Sequence, residues 1–159
     1  MNQPPSANLP TTVRPLRPDD QAAWRPLWDG YNAFYGRADT TALDEAVTAM
    51  TWQRFFDGAE PMHALVAEQG GRLVGLVHYL FHRSTTQIGP SCYLQDLFTE
   101  AGVRGQGIGA ALIAAVAERA RASGSPRLYW MTQDSNAAAM RLYDRVAEKP
   151  GFVVYRQML

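Results

Sequence analysis

The sequence predicts an α/β (α+β) fold in which a mixed sheet is flanked by helices, and three observations carry that prediction. Two apolar runs, His63 to Glu68 and Arg72 to Phe81, flank Gln69-Gly70-Gly71, which is the strongest short-range hairpin signal in the chain. Ser91 to Thr99, a glycine-rich bend, an alanine-rich stretch ending at Ser123, and Arg127 to Thr132 read as strand, helix, strand. That order makes a right-handed crossover between two parallel strands. Trp24, Leu27, Trp28, Tyr31 and Tyr35 recur at helical spacing with Phe34 beside them, so a helix presents one aromatic face.

Taken in order, Met1 to Pro10 is rich in Pro, Asn and Ser and is expected to fray, leaving 11–159 as one domain. Thr11 to Arg17 alternates weakly and reads as a first strand, which Pro15 confines to a sheet edge. Pro18-Asp19-Asp20 starts the aromatic helix, with Asp19 or Asp20 near its N-cap and early negative charge facing its dipole. After the polar break Gly36 to Thr41, Ala42 to Phe56 reads as a second helix ending near Gly58. The hairpin follows. His78 and His82 fall at even spacing on one face of its second strand, while His63, His78 and His82 lack the spacing and cysteine partners of a zinc site, so no metal is expected.

Along Ser91 to Thr99 strict alternation places Cys92, Leu94, Asp96 and Phe98 on one face and Tyr93, Gln95, Leu97 and Thr99 on the other. Cys92 has no base beside it in sequence and reads as a small buried residue. The helix Gly107 to Ser123 closes on Gly124, a fitting residue just beyond a helix. Ser135-Asn136 opens a further helix, Ala137 to about Ala147, and Gly151 to Met158 is expected to end the chain as a strand.

Length and charge narrow the classes of function. A chain of 159 residues can bury a substantial core. Fifteen basic and fifteen acidic side chains cancel, which argues against a nucleic-acid partner. The single cysteine, Cys92, is consistent with a reducing compartment. The first ten residues lack a secretion-signal pattern, and no apolar run approaches the roughly 20 residues that span a bilayer. The expectation is a cytoplasmic protein without a membrane partner.

The chemistry concentrates in the bend. Gly105, Gly107 and Gly109 stand at alternate positions where a helix begins, and that helix offers unpaired N–H groups and the positive end of its dipole. An anion such as a pyrophosphate fits there. Gly105, Gly107 and Ala110 satisfy the dinucleotide pattern G-x-G-x-x-G/A, but the polar spacer Thr99 to Arg104 separates them from the strand. The acidic residue that pattern needs about 20 positions on is also missing, because Asp134 falls late.

The better match is R-x-x-G-x-G, carried by Arg104, Gly107 and Gly109 with Leu97, Phe98 and Thr99 ahead of it. It resembles the acyl-CoA-binding signature of the GCN5-related N-acetyltransferases (GNAT). The resemblance implies a mostly antiparallel central sheet with about four helices and a splayed parallel pair of strands at the acyl-CoA site. It implies that the backbone of Arg104, Gly105, Gln106, Gly107, Ile108, Gly109 and Ala110 holds the CoA pyrophosphate. Leu97, Phe98 and Thr99 would pair with the pantetheine amides as an open strand edge pairs with a peptide.

Downstream, SNAAAMRLYDRVAEKPGF resembles the family's second signature. By position Asn136 would contact the CoA arm and Tyr143 would lie near the thioester sulfur. A phenol titrates near pH 10, so Tyr143 is the candidate general acid toward a departing thiolate. The spacing from Tyr143 to Gly151 is about four residues longer than usual for the family, which looks like an Hpa2-like subgroup associated with amines, amino acids or histone tails. Diamine acetyltransferases, which this stretch also resembles, have acidic residues in place of Gln95-Asp96. Gln95 cannot be a base, so Asp96, Glu100 or a water remains to take the amine proton. The first helices would flank the acceptor, with Trp28, Tyr31, Tyr35, His78 and Gln95 as lining candidates.

The function implied is acetyl-CoA-dependent transfer to a primary amine, a small amine, polyamine or amino acid, by direct attack in a ternary complex. The alternatives are a non-catalytic acyl-CoA-binding sensor and a protein or histone-type lysine acetyltransferase. A homodimer is expected from the aromatic content and from the terminal strand, which could pair with another subunit's edge.

Overall fold

The computed structural model describes residues 9–159; the tail expected over 1–10 lies, apart from Leu9 and Pro10, outside the described residues. Five strands form one sheet in the order of the sequence: β1 (Thr11–Pro15), β2 (Met62–Gln69), β3 (Arg72–His82), β4 (Ser91–Thr99) and β5 (Leu128–Tyr129). The first four pair antiparallel and β5 joins β4 in parallel. Four α-helices accompany them: α1 (Gln21–Phe34), α2 (Glu45–Arg54), α3 (Ile108–Ala122) and α4 (Ala137–Val146).

The hairpin forms as its turn chemistry demands, with Gly70 and Gly71 at φ 55° and 78° between β2 and β3. β1 is an edge strand, the position that suits its Pro15. Its register against β2 is held by Arg14, whose guanidinium donates twice to the Asp20 carboxylate, at 2.7 and 2.9 Å, and once to Glu68 at 2.8 Å. Asp20 does stand at the start of α1. Its carboxylate, however, is turned to Arg14 and to the Arg17 N–H rather than to the N–H groups of that helix.

Helices cover both faces of the sheet. On one, Ile108, Leu112, Ile113 and Val116 of α3 pack on Leu65, Ala67, Val77 and Leu94. On the other, Trp24, Leu27, Trp28 and Tyr31 of α1 pack on Val66 and Leu76, with Trp52 and Phe55 closing over them. Burying each such side chain contributes about 1.5–3 kcal/mol, and this places the aromatic stripe largely in the core. α1 lies so close to β4 that a Cβ built on Gly30 would stand 2.7 Å from Phe98 Cζ.

Three expectations are corrected. Strict alternation fails in β4, because His78 of β3 pairs with Asp96 while its neighbour Tyr79 pairs with Leu94. Gln95 is thus an extra residue, a β-bulge, and it turns the strand over. Cys92 and Leu94 face the α3 core, whereas Asp96 and Phe98 face α1. The strand expected over Arg127 to Thr132 is reduced to Leu128–Tyr129, since only Cys92↔Leu128 and Tyr93↔Tyr129 pair before the two strands part. The strand expected over Gly151 to Met158 is absent: residues 147–159 carry no strand or helix, and Phe152, Val153, Val154 and Tyr155 are exposed. A strand owes its stability to a neighbour's hydrogen bonds and packing, and in the single chain this segment has neither.

Candidate active site

The parting of β4 from β5 opens a cleft. Beyond Tyr93 no ladder joins the two strands, so the outer edge of β4 past that point is free for a ligand with amides of its own. Leu97, Phe98 and Thr99 all lie on that stretch and are half-buried. Thr99 then leads through a short turn over Ala101–Val103 to the bend.

In the bend Gly105 and Gly107 both take φ 79°, a conformation glycine adopts without strain, and a Cβ on either would meet nothing within 4 Å. Gly107 caps α3 with no side chain bonded to the helix's first N–H groups. Those donors and the dipole are left for an anion, so the residues present fit a pyrophosphate. Arg104 anchors the loop through its Nε–H to the Thr99 carbonyl at 3.2 Å and lies over Phe98. Gln106 is tied to Gln69 across to the β2 end at 3.2 Å. Ile108 is buried in the core and can offer a ligand only its backbone, with Ala110 half-buried two residues on. Gly109 serves packing: a Cβ there would stand 3.1 Å from Leu142 of α4.

Asn136 caps α4, accepting from the Ala139 N–H, and its amide donates toward the Thr132 hydroxyl, both at 3.4 Å. About two helical turns on, Tyr143 packs edge-on against Trp130. Burial pushes its phenol up to about 12, and the nearby Tyr35 hydroxyl adds to the effect. The phenol of Tyr35, just past the end of α1, is thus within electrostatic reach of Tyr143 on α4.

The bulge brings Asp96 to the same place. Asp96 is 6 % exposed, its Oδ2 lies 2.9 Å from His78 Nδ1, and the Tyr31 phenol stands near enough to feel its charge. Burial, then the Asp96 charge, raises the Tyr31 and Tyr35 phenols, while Arg37 opposes the shift at both. Trp28 is buried with its indole N–H given to Thr48 at 3.1 Å, so it supports this wall from behind. His78 is buried with both ring nitrogens engaged, by Trp24 at 3.1 Å and by Asp96. Gln95, at the bulge, is exposed. Glu100 lies past the end of β4 and is paired with Arg72 at 2.6 Å.

Sequence reasoning missed Trp24 as a partner of His78, and Arg37 altogether. Arg37 follows the end of α1, where its Nε–H donates to the buried Asn32 at 2.7 Å and its guanidinium lies 5.7 and 5.5 Å from the Tyr31 and Tyr35 ring centres. Among the described residues it has no carboxylate partner. Being the one cation of the Gly36 to Thr41 break is the only signal that could have marked it.

Known proteins resemble this chain in sequence and in fold. The chain is 32 % identical over 147 residues to the D-amino-acid N-acetyltransferase HPA3 of Saccharomyces cerevisiae, covering 91 % of this chain and 89 % of that one. It is 40 % identical over 89 residues to a thialysine N-epsilon-acetyltransferase of Bos taurus, covering 51 % of this chain and 52 % of that one. AAC(6')-Iy, solved with the bisubstrate analogue CoA-S-monomethyl-acetylneamine, shares the fold at a TM-score of 0.77 and 16 % identity, over 94 % of this chain and 98 % of that one. The Acetyltransferase (GNAT) family signature matches residues 24–147, and the splayed strands, the glycine bend and the relatives together make this chain an N-acetyltransferase of the GNAT family.

Proposed function

We propose that this enzyme transfers the acetyl group of acetyl-CoA to the amine of an amino acid by direct attack in a ternary complex. One observation carries the proposal: the bulge at Gln95 turns the buried Asp96 carboxylate to the α1 side of the sheet, beside His78 and near Tyr31, with Tyr35 in electrostatic reach of both Asp96 and Tyr143. The pyrophosphate would lie on the backbone of the bend and the start of α3, with the pantetheine arm along Leu97 to Thr99. Asp96 takes a proton from the acceptor ammonium and the free amine attacks the thioester carbonyl. As the C–S bond breaks the departing thiolate takes a proton from Tyr143, and the second proton shed by the nitrogen as it becomes an amide restores the phenol. Backbone N–H groups near Leu97 to Thr99 stabilise the oxyanion. Asp96 is preferred to Glu100 as base because Glu100 is held by Arg72 beyond the strand.

The amino-acid acceptor is supported by Arg37, a cation without a carboxylate partner beside Tyr31 and Tyr35. A guanidinium binds a carboxylate bidentately and would repel a polyamine's second charge. HPA3 is a D-amino-acid N-acetyltransferase, and the bovine relative's name specifies thialysine, which points the same way. The single buried cysteine accords with work in a reducing compartment such as the cytoplasm. The working unit is proposed to be a homodimer in which the exposed run Phe152 to Tyr155 adds to a second copy.

A thiol-release assay tests the acceptor. Amino acids of both hands are compared with their decarboxylated amines, polyamines and aminoglycosides at equal concentration. We expect at least tenfold higher kcat/KM for the carboxylated member of each pair, and for Arg37→Gln to erase that ratio. A preference for polyamines, or a ratio unchanged in R37Q, would overturn the amino-acid assignment.

A further inference from the structure

His78 is one of the most enclosed polar side chains in the molecule, at 3 % exposure. Trp24, Trp28 and Phe55 surround its ring at centroid distances of 6.0, 5.4 and 4.6 Å. Its Nε2 lies 3.1 Å from the Trp24 indole nitrogen and its Nδ1 lies 2.9 Å from Asp96 Oδ2. An indole N–H can only donate, so Nε2 must accept and carries no proton. An imidazole holds at least one proton, which must therefore sit on Nδ1 and be donated to Asp96. The aromatic walls offer no other partner. The Trp24 hydrogen bond thus chooses both the tautomer and the charge of His78: it is neutral, with Nδ1–H pointing at the carboxylate.

From this we infer that Trp24 and His78 form a positioning pair that holds the Asp96 carboxylate aimed at the acceptor amine, a role that deepens the assignment of Asp96 as base and rests on it. His78 touches neither substrate nor thioester. It supplies Asp96 with a neutral donor on Oδ2, and the remaining lone pairs are left for the incoming ammonium. Were Nε2 free to bind a proton, His78 would become an imidazolium beside Asp96 and would weaken the carboxylate as a proton acceptor. The indole N–H blocks that state by occupying the site. The titratable groups around Asp96 are then His78 from β3, Tyr31 from α1, Tyr35 just past its end, and Tyr93 from its own strand, with Arg37 behind Tyr31 and Tyr35.

Two measurements test the pair. Long-range ¹H–¹⁵N NMR of the full-length protein at neutral pH should show His78 as the pure Nδ1–H form, and Trp24→Phe should admit the Nε2–H or doubly protonated form. An Nε2–H wild-type ring would overturn the inference whether or not the protein turns over. In the second, His78→Phe should lower kcat about 10²-fold with KM for acetyl-CoA within about twofold, and move the acidic limb of the pH–rate profile upward because Asp96 has lost a donor. His78→Asn, whose amide can place an N–H near the old Nδ1, should return the limb toward its wild-type position. A loss of kcat in H78F with no movement of the limb, or no rescue by H78N in a folded variant, would reduce His78 to packing. If Asp96→Asn leaves the rate intact while the tautomer is as described, the base assignment fails and takes this role with it.

Discussion

As the proposed general acid Tyr143 must hold its proton until the thiolate leaves, and burial, with Trp130 packed against it, favours this by pushing the phenol up to about 12. The sign matters for pH dependence. A raised phenol is protonated throughout the range in which the acceptor amine, titrating near 10, becomes free. Turnover is therefore expected to rise with pH through the neutral range without a falling limb from Tyr143 below about pH 11. A pH–rate profile checks this, and a descending limb below pH 10 that vanishes in Tyr143→Phe would contradict it. That variant should lose about 10²–10³-fold in kcat with little change in KM for acetyl-CoA, since the phenol acts on the leaving group rather than on binding. Tyr143 was legible in the sequence because its spacing from Asn136 lies within one helix, whose geometry is local. Its neighbour Tyr35 was legible only as part of a stripe, because the approach of α1 to α4 is not written in either helix.

Between elements, two contacts set how the site is framed. Arg14 ties β1 to Asp20 at the head of α1 and to Glu68 of β2, with side-chain exposures of 14 and 11 % for Arg14 and Asp20. The Arg14 guanidinium holds the Asp20 carboxyl below the usual carboxylate range. A depressed folded value means that the stabilisation is present above the unfolded value near 3.9 and is lost as pH falls through the folded one. Arg14→Gln is expected to cost about 1.5–3 kcal/mol at neutral pH, and to flatten the acid dependence of stability below about pH 4, as read by urea unfolding. Gly30 is the second contact, since any side chain there meets Phe98. Gly30→Ala should lower stability by about 1–3 kcal/mol through forced displacement of α1 from β4. The same displacement separates Tyr31 from Asp96, so kcat of the folded variant should fall by more than its loss of stability accounts for. An unaltered kcat in this variant would mean that α1 does not set the acceptor geometry.

For the molecule as a whole, the sheet ends in two different ways. β1 closes one side as a short edge carrying Pro15, whereas the other side stops after two residues of β5 and leaves the apolar run Phe152 to Tyr155 exposed. Apolar, β-prone segments of this kind are covered by a partner or invite association. Sedimentation is expected to give about twice the 17.6 kDa of the chain, and removal of 151–159 to give the monomer. A full-length protein that sediments as a monomer at micromolar concentration would leave the segment without the proposed role.

The sequence by itself determined the hairpin, the glycine bend opening α3, the parallel crossover and the aromatic face of α1, because turn chemistry, capping and hydrophobic period act over a few neighbouring residues. It also placed Arg104, Asn136 and Tyr143 within recognisable spacings. The tertiary structure alone decided the bulge at Gln95, and with it the side of the sheet on which Asp96 stands. Register belongs to a pair of strands, and one inserted residue reverses every side chain beyond it. Only folding could bring Trp24 to His78 across 54 residues of chain, or Arg37 to the tyrosines of α1 through its bond to Asn32. The fate of the terminal run was undecidable from pattern for the same reason: alternation supplies a strand's face, but only a neighbouring edge makes it a strand.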